Sequence, residues 1–159
     1  MVIHPIEPIY DKKSNILILG SFPSVKSREE GFFYRHKQNR FWKVISVVFE
    51  EEEPKTIEEK KALLLRNKIA LWDVIQSCDI VGSSDSSITN VVPNDLSLIL
   101  NTADIKAIYF NGKTALKYYE KYTEPVIKRA VICLPSTSPA NAAWSMEKLL
   151  SAWKIIKKY

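Results

Sequence analysis

The chain has 159 residues, of which 46% are hydrophobic and 26% are charged, and its formal net charge is +5. This length and composition are typical of a single folded domain, residues 1–159, with a substantial core, and they exclude a disordered or fibrous chain. Because no apolar run is long enough to span a bilayer and the first residues lack a signal-peptide pattern, we expect a cytoplasmic protein without a membrane partner.

Apolar runs alternate with helical stripes along the chain. Short runs of branched apolar residues predict buried parallel strands, and apolar residues three and four apart predict amphipathic helices. In chain order the predicted elements are a strand at 16–19, helices at 40–50 and 56–67, a strand at 69–72, a long polar loop at 76–95, a short helix to 101 capped by Asn94 or Asp95, a strand at 107–110, a helix at 113–122, a strand at 130–134 and a helix at 142–159. This alternation predicts a parallel sheet with helices on both faces.

The two cysteines, Cys78 and Cys133, bear on cofactors. They are too few for a four-cysteine iron–sulfur cluster, and the sequence contains neither a CxxC nor an HExxH pattern. Cys133 lies within an apolar run, which favours a buried thiol over a disulfide. We therefore expect a reduced protein with no metal and no cofactor. We also expect a monomer.

Two tracts of small hydroxyl residues and prolines each follow a predicted strand. They are residues 19–24 (LGSFPS) and residues 134–141 (LPSTSPAN). Open α/β sheets place their ligand sites at the carboxyl ends of strands, where both tracts would lie. Stiff loops with free backbone N–H groups suit a phosphate-bearing ligand.

The segment from Lys26 to Lys43 is basic and aromatic. It holds six Lys and Arg residues against two Glu residues, interleaved with five aromatic residues. This pattern suits a polyanion with exposed bases. A solvated face beside an amphipathic helix explains the same composition, and composition by itself favours that second interpretation.

Six short tracts stand in a specific order along residues 15–145. They are Gly20–Ser24 (GSFPS), Asn39–Trp42 (NRFW), Leu71–Ile75 (LWDVI), Gly82–Asp85 (GSSD), Phe110–Gly112 (FNG) and Leu134–Asn141 (LPSTSPAN). As an ordered set they resemble the uracil-DNA glycosylase superfamily, and more narrowly its hypoxanthine-DNA (deoxyinosine) glycosylase branch. The resemblance implies a three-layer α/β/α sandwich with a central four-stranded, mainly parallel sheet. It also implies a monofunctional enzyme, without metal or cofactor, that flips a deaminated base out of DNA and hydrolyses its N-glycosidic bond.

The resemblance assigns catalytic roles to two asparagines. Many relatives carry a carboxylate or amide two positions after the first-loop glycine, where this chain has Phe22. In this branch the catalytic amide is instead the asparagine of the NRFW tract, Asn39, which would orient water rather than take a proton. Capping the following helix is an alternative role for Asn39. Asn111 matches the asparagine that reads the base edge, although Asn-Gly is also a strong turn signal.

The base pocket implied by the resemblance uses the first loop and nearby aromatic residues. Ser24 replaces a bulky aromatic residue of the uracil enzymes, which leaves room for a two-ring base; Ser24 could equally be a turn residue. At least one aromatic ring would stack on the flipped base. The predicted base-binding residues are Gly20, Ser21, Phe22, Pro23, Ser24, Phe33 and Tyr34.

The second loop resembles the superfamily's DNA-intercalation and phosphate-binding loop. Leu134 stands where uracil enzymes carry a histidine, which weakens the case for uracil excision. The residue that wedges between bases could be Ala140, Asn141 or Trp144, although Trp144 is more typical of a core residue. The predicted DNA-binding residues are Ser136, Thr137, Ser138, Pro139, Asn141 and Lys113, since hydroxyls can donate to phosphates without reading sequence.

The remaining polar residues carry weaker predictions. Asp73 would brace the loop after the second strand, and Asp85 would order its own loop. His4 and His36 lack triad partners, and no serine lies in a GxSxG elbow, so acyl chemistry is disfavoured. Alternative functions are a glycosylase for mismatched uracil or thymine or for xanthine, a non-catalytic DNA-binding relative, and a small phosphoester or nucleotide binder.

Overall fold

The computed structural model describes residues 1–123 and 130–159. Within these residues the strands are β1 (Val2–Ile3), β2 (Ile16–Gly20), β3 (Ile69–Asp73), β4 (Ile75–Asp79), β5 (Thr89–Pro93), β6 (Ala107–Asn111) and β7 (Ala130–Leu134). The helices are α1 (Val25–Glu30), α2 (Phe41–Val48), α3 (Ile57–Arg66), α4 (Ser97–Leu100), α5 (Lys113–Tyr122) and α6 (Met146–Trp153), with 3-10 turns at Asp85–Ser87 and Lys154–Lys158.

The central sheet has the strand order β3-β2-β6-β7, and each neighbouring pair is parallel. The predicted four-stranded parallel sheet is therefore confirmed. Its register places Gly20 opposite Asp73 and Asn111 opposite Leu134. Because all four strands run the same way, their carboxyl ends and the loops that follow them meet at one edge of the sheet.

Helices cover both faces of this sheet. In β2, Ile16 and Ile18 pack with residues of α2, α3 and α6, whereas Leu17 and Leu19 pack with residues of α4 and α5. All four side chains are at most 1% exposed, because successive side chains of a strand point to opposite faces. The predicted α/β/α sandwich is confirmed.

The predicted loop at 76–95 is wrong in part. Residues 75–79 and 89–93 form the antiparallel pair β4 and β5, and β1 adds to β4 to give a small sheet of order β1-β4-β5. The strand pair β4 and β5 was not predicted because β5 has no buried residue and pairs irregularly with β4. The sequence of β5 therefore lacks the alternating apolar pattern of a half-buried strand.

The ends of several helices also differ from prediction. The last helix begins at Met146, not at 142, since Ser145 caps it by accepting from the backbone N–H of Lys148. Thr56 caps α3 as predicted. Asp95 accepts from the backbone N–H of Ser97 at the start of α4, whereas the Asn94 amide donates to backbone carbonyls of Asp73 and Ile75.

The prediction for Cys133 is wrong, because its side chain is exposed, while Cys78 is buried. The reason is that β7 is an edge strand of the central sheet, and Cys133 shares an exposed face with Val131. In the described parts of the chain, no helix is long and apolar enough to cross a membrane.

Candidate active site

A cavity of about 550 Å³ opens at the carboxyl edge of the central sheet. Its walls come from the loops after β2 and β7, the segment before α2, the start of α5 and the tip between β4 and β5. The predicted site residues that line it are Gly20, Ser21, Phe22, Pro23, Ser24, Phe33, Tyr34, Asn39, Asn111, Lys113, Ser136, Thr137, Ser138 and Pro139. Two loops more than a hundred residues apart in sequence thus form one site, as the strand order requires.

The two asparagines assigned to catalysis are joined through Thr137. The Thr137 hydroxyl accepts from Asn111 Nδ2 at 3.0 Å and donates to Asn39 Oδ1 at 2.8 Å. The Thr137 backbone N–H donates to Asn111 Oδ1 at 2.9 Å. Because a backbone N–H can only donate, this bond fixes which side of the Asn111 amide is oxygen.

The orientation of the Asn39 amide is fixed in the same way. Its Oδ1 accepts from the backbone N–H of Phe41 at 2.9 Å as well as from the Thr137 hydroxyl. These two bonds occupy both lone pairs of the oxygen. Toward a molecule in the cavity, Asn39 can therefore act only as a hydrogen-bond donor, through its N–H groups. The predicted N-cap is displaced by one residue: Arg40 occupies the N-cap position of α2 without a side-chain bond, and Asn39, just before it, accepts from the N–H of Phe41, the first residue of the helix.

Thr137 has a different position from the one that phosphate binding requires. Its side chain is fully buried, and its hydroxyl is engaged by the two asparagines. A buried hydroxyl with both roles filled cannot reach a DNA phosphate, so Thr137 positions the amides instead. The sequence suggested a phosphate contact because it does not encode the direction of a loop side chain.

Most backbone N–H groups of the second loop donate to acceptors within the protein, whereas the sequence analysis expected them to be free for a ligand. The Ser138 N–H donates to the Ser136 hydroxyl, the Ala140 N–H donates to the Ser138 hydroxyl, and the Asn141 N–H donates to the Ser138 carbonyl. Both serine oxygens act as acceptors here, so their O–H groups stay available to donate outward. Arg40 braces the same loop, since its guanidinium donates to the carbonyls of Asn141 and Trp144.

A second polar group lies at the floor of the cavity, around Gly20. The carboxylate of Asp73 accepts from His4 Nε2 at 2.7 Å, and both side chains are almost fully buried. A Cβ atom at Gly20 would overlap Asp73 Oδ1 and lie 2.8 Å from the Tyr34 hydroxyl. The sequence analysis missed this arrangement, since His4 does have a carboxylate partner. The signal that could have revealed it is that His4 and Asp73 each lie in an otherwise largely apolar segment.

His4 is nevertheless not a general base. Its Nδ1 accepts from the backbone N–H of Ile6 at 3.2 Å, so the proton must be on Nε2, where it faces Asp73. Neither nitrogen is left for a substrate. His4 holds the Asp73 carboxylate in place and offers no free ring nitrogen as a base.

The aromatic residues differ in what they present to the cavity. Phe33 is 2% exposed and belongs to the core. Tyr34 stacks on Phe41 with ring centres 4.2 Å apart, which occupies one face of its ring. Phe22 is half-buried and contacts His4 edge to face at 5.9 Å. Trp144 is 36% exposed on the second loop, in contrast to the core position expected for it.

A metal ion would need several His, Cys, Asp or Glu side chains that lie close together. Within residues 1–123 and 130–159, no group of three or more His, Cys, Asp or Glu side chains is arranged to hold a metal ion. The polar groups of the cavity are amides, hydroxyls and one carboxylate paired with histidine, which suit hydrogen bonding to an organic ligand.

Comparisons with known proteins identify relatives of this chain. The family model described as the uracil DNA glycosylase superfamily matches residues 7–158. A protein of Methanosarcina barkeri named hypoxanthine DNA glycosylase is 32% identical over 151 residues, which cover 92% of each chain. A protein of the same name from Methanosarcina acetivorans is 30% identical over the whole of both chains. The solution NMR structure of a candidate uracil DNA glycosylase from Methanosarcina acetivorans has a TM-score of 0.81 and 30% identity, and covers 99% of this chain and 98% of that one.

Proposed function

Because the chain belongs to the uracil DNA glycosylase superfamily, we propose that it is a DNA glycosylase that removes hypoxanthine from DNA. The enzyme would flip the deoxyinosine nucleotide out of the duplex and hydrolyse the bond between the base and deoxyribose, which leaves an abasic site. The names of two relatives at 30–32% identity support hypoxanthine as the base. The observation that carries the proposal is that the amides of Asn39 and Asn111 line one cavity and are locked together by Thr137.

The mechanism follows from what these amides can still do. As the glycosidic bond breaks, negative charge develops on the leaving base and positive charge on the sugar. An N–H donor held in a fixed position stabilises the developing negative charge without reorganisation. Asn39 is such a donor, since its oxygen is already saturated. Water then adds to the sugar carbon, and its proton leaves to solvent or to the released base.

The grip on DNA would come from the rim of the cavity. Lys113 is exposed at the first turn of α5, and the hydroxyls of Ser136 and Ser138 can donate outward. The net charge of +5 adds a general attraction to phosphates. These contacts position the duplex without reading its sequence, and we expect binding to weaken as salt rises.

The proposed base is tested by a nicking assay on labelled duplexes. The duplexes carry a single hypoxanthine, xanthine, uracil or mismatched thymine and are treated with alkali after incubation. We expect cleavage at hypoxanthine, unchanged by EDTA. An intact hypoxanthine strand together with cleavage at uracil would contradict the proposal. Tight binding to an abasic duplex without release of any base, under excess protein, would instead indicate a non-catalytic relative, which the presence of Phe22 at the usual carboxylate position makes worth testing.

Replacing Gly20 with alanine tests whether the cavity floor is closely packed. The added Cβ would overlap Asp73 Oδ1 and press on the Tyr34 hydroxyl. We expect a loss of about 1–3 kcal/mol in the free energy of unfolding, which is typical of overpacking, and a clear fall in hypoxanthine excision. Thermal melting and single-turnover kinetics measure the two effects.

A matched control is Gly82→Ala. Gly82 has φ +59 and no atom within 4 Å of its hypothetical Cβ, so alanine there strains the backbone without entering the cavity. We expect Gly82→Ala to lose stability but to keep its excision rate. A native excision rate in Gly20→Ala would contradict the close packing of Gly20 against Asp73 and Tyr34.

A further inference from the structure

We propose that Asp73 and Tyr34 read the lactam edge of the flipped base, with Asp73 accepting from its ring N–H and Tyr34 donating to its carbonyl oxygen. The inference rests on the proposed function, because it presumes that a flipped base enters the cavity. It goes further by assigning base selection to an acceptor and a donor that flank Gly20, in addition to Asn111.

The acceptor is Asp73 Oδ1. Its partner oxygen Oδ2 is held by His4 Nε2 at 2.7 Å, and His4 is itself fixed by the N–H of Ile6. Asp73 lines the cavity, and its Oδ1 lies against Gly20 at the floor, in space that any side chain at position 20 would fill. A carboxylate held in this way presents an acceptor in a defined direction to whatever occupies the cavity.

The donor is the Tyr34 hydroxyl. Its oxygen is buried and makes no hydrogen bond of regular geometry with the described residues. Burial and the nearby Asp73 carboxylate raise the pKa of Tyr34, while the adjacent Asn111 amide lowers it by less, so the phenol stays protonated and can donate. A buried polar group without a partner is costly, and a ligand carbonyl would satisfy it.

The backbone of Tyr34 supports a functional position. Its φ is +53, a region that bulky residues rarely adopt. The stacking of its ring on Phe41 holds the side chain in this conformation, with the hydroxyl over Gly20. Strain of this kind persists where the surrounding structure fixes it, and it is frequent at binding sites.

The chemistry of deamination matches this donor and acceptor. Adenine has an acceptor at N1 and an amino donor at position 6, whereas hypoxanthine has an N1–H donor and an O6 acceptor. Hypoxanthine therefore complements Asp73 and Tyr34, and adenine would place its N1 lone pair against the carboxylate. Sites that hydrogen-bond a ligand reject analogues that leave the buried groups unpaired. Xanthine and uracil share the lactam group, so the same contacts would admit them where they fit.

The variant Asp73→Asn gives a directional test. Because His4 Nε2–H requires an acceptor, the new amide will turn its oxygen to His4 and its NH2 group to the cavity. The variant thus presents a donor where the native protein presents an acceptor. Binding is measured with duplexes that carry 2′-fluoro-deoxyinosine or 2′-fluoro-deoxyadenosine, which resist cleavage, each opposite a tetrahydrofuran abasic analogue so that neither base is paired.

We expect the native protein to bind the inosine duplex at least tenfold more tightly than the adenosine duplex, and Asp73→Asn to abolish or invert this ratio. Tyr34→Phe, which removes only the donor, should reduce the ratio severalfold. Asp95→Asn changes an exposed carboxylate outside the cavity, and the ratio of the two affinities should stay as in the native protein. Melting curves verify that each variant is folded. If Asp73→Asn does not fold, Tyr34→Phe still tests the inference.

The inference would be overturned by the absence of an inosine preference in the native protein, or by equal weakening of both duplexes by Asp73→Asn and Tyr34→Phe with the ratio intact. A variant that loses excision but keeps the ratio would make Asp73 a group of the hydrolytic step and also overturn base selection. Since binding needs no cleavage, failure of the proposed function shows separately, as absence of excision from an ordinary deoxyinosine duplex.

Discussion

Replacing Asn39 with alanine will lower the single-turnover rate of hypoxanthine excision by about 10³-fold, the upper range for loss of one preorganised donor. The amide of Asn39 lines the cavity with its oxygen saturated by Phe41 and Thr137, so alanine removes the N–H donor and nothing replaces it. Affinity for an abasic duplex should stay within a few-fold, because the residues at the rim are unchanged. The rate is measured with excess protein, and the affinity by titration of a labelled duplex.

Two companion variants separate catalysis from helix capping. Asn39→Ala also removes the acceptor of the Phe41 N–H at the start of α2, which costs about 1 kcal/mol of stability. Asn39→Asp keeps an oxygen for Phe41 and Thr137 but has no N–H donor, so we expect it to keep the cap and lose the activity. Gln38→Ala, an exposed neighbouring amide, should behave as the native protein. Full activity in Asn39→Asp would show that the residue acts as an acceptor toward water, and full activity in Asn39→Ala would remove it from the reaction.

Replacing Asn111 with alanine will lower hypoxanthine excision by about 10²-fold and narrow the difference between hypoxanthine and other bases. Asn111 ends β6 and lines the cavity, and its amide keeps one N–H and one lone pair that Thr137 does not engage. Removing one preorganised hydrogen-bonding group from an active site typically lowers the rate by about 10²–10³-fold. Excision rates on the panel of hypoxanthine, xanthine, uracil and thymine duplexes measure both changes.

The same substitution should also loosen the second loop. The buried Thr137 N–H loses its acceptor, at a cost of about 1–3 kcal/mol for a buried group left unpaired, and the Thr137 hydroxyl loses one of its two partners while it still donates to Asn39. We therefore expect a lower melting temperature and weaker binding to abasic DNA, unlike Asn39→Ala. The control is Asn101→Ala, an exposed amide at the end of α4. Unchanged base preference in Asn111→Ala would leave it with a positioning role only.

The central sheet and the location of the cavity could be predicted from sequence. A run such as Ile16–Leu19, apolar at every position, is compatible with a strand covered on both faces, and the structure buries it on both. Parallel strands bring their carboxyl ends together, so the tracts at 19–24 and 134–141 had to meet. The small sheet was not predictable in the same way, because β5 carries no buried residue and lies at an edge.

Amino-acid pattern by itself determined the architecture, the family resemblance and the two loops that meet at the cavity, because burial and strand direction leave a periodic trace. Tertiary structure decided which polar atoms face each other. The pairing of His4 with Asp73 spans 69 residues of sequence, and the hydroxyl of Thr137 turned inward to the amides and away from solvent. A hydrogen bond depends on positions within a few tenths of an ångström around 3 Å, and only the packed chain sets atoms to that precision.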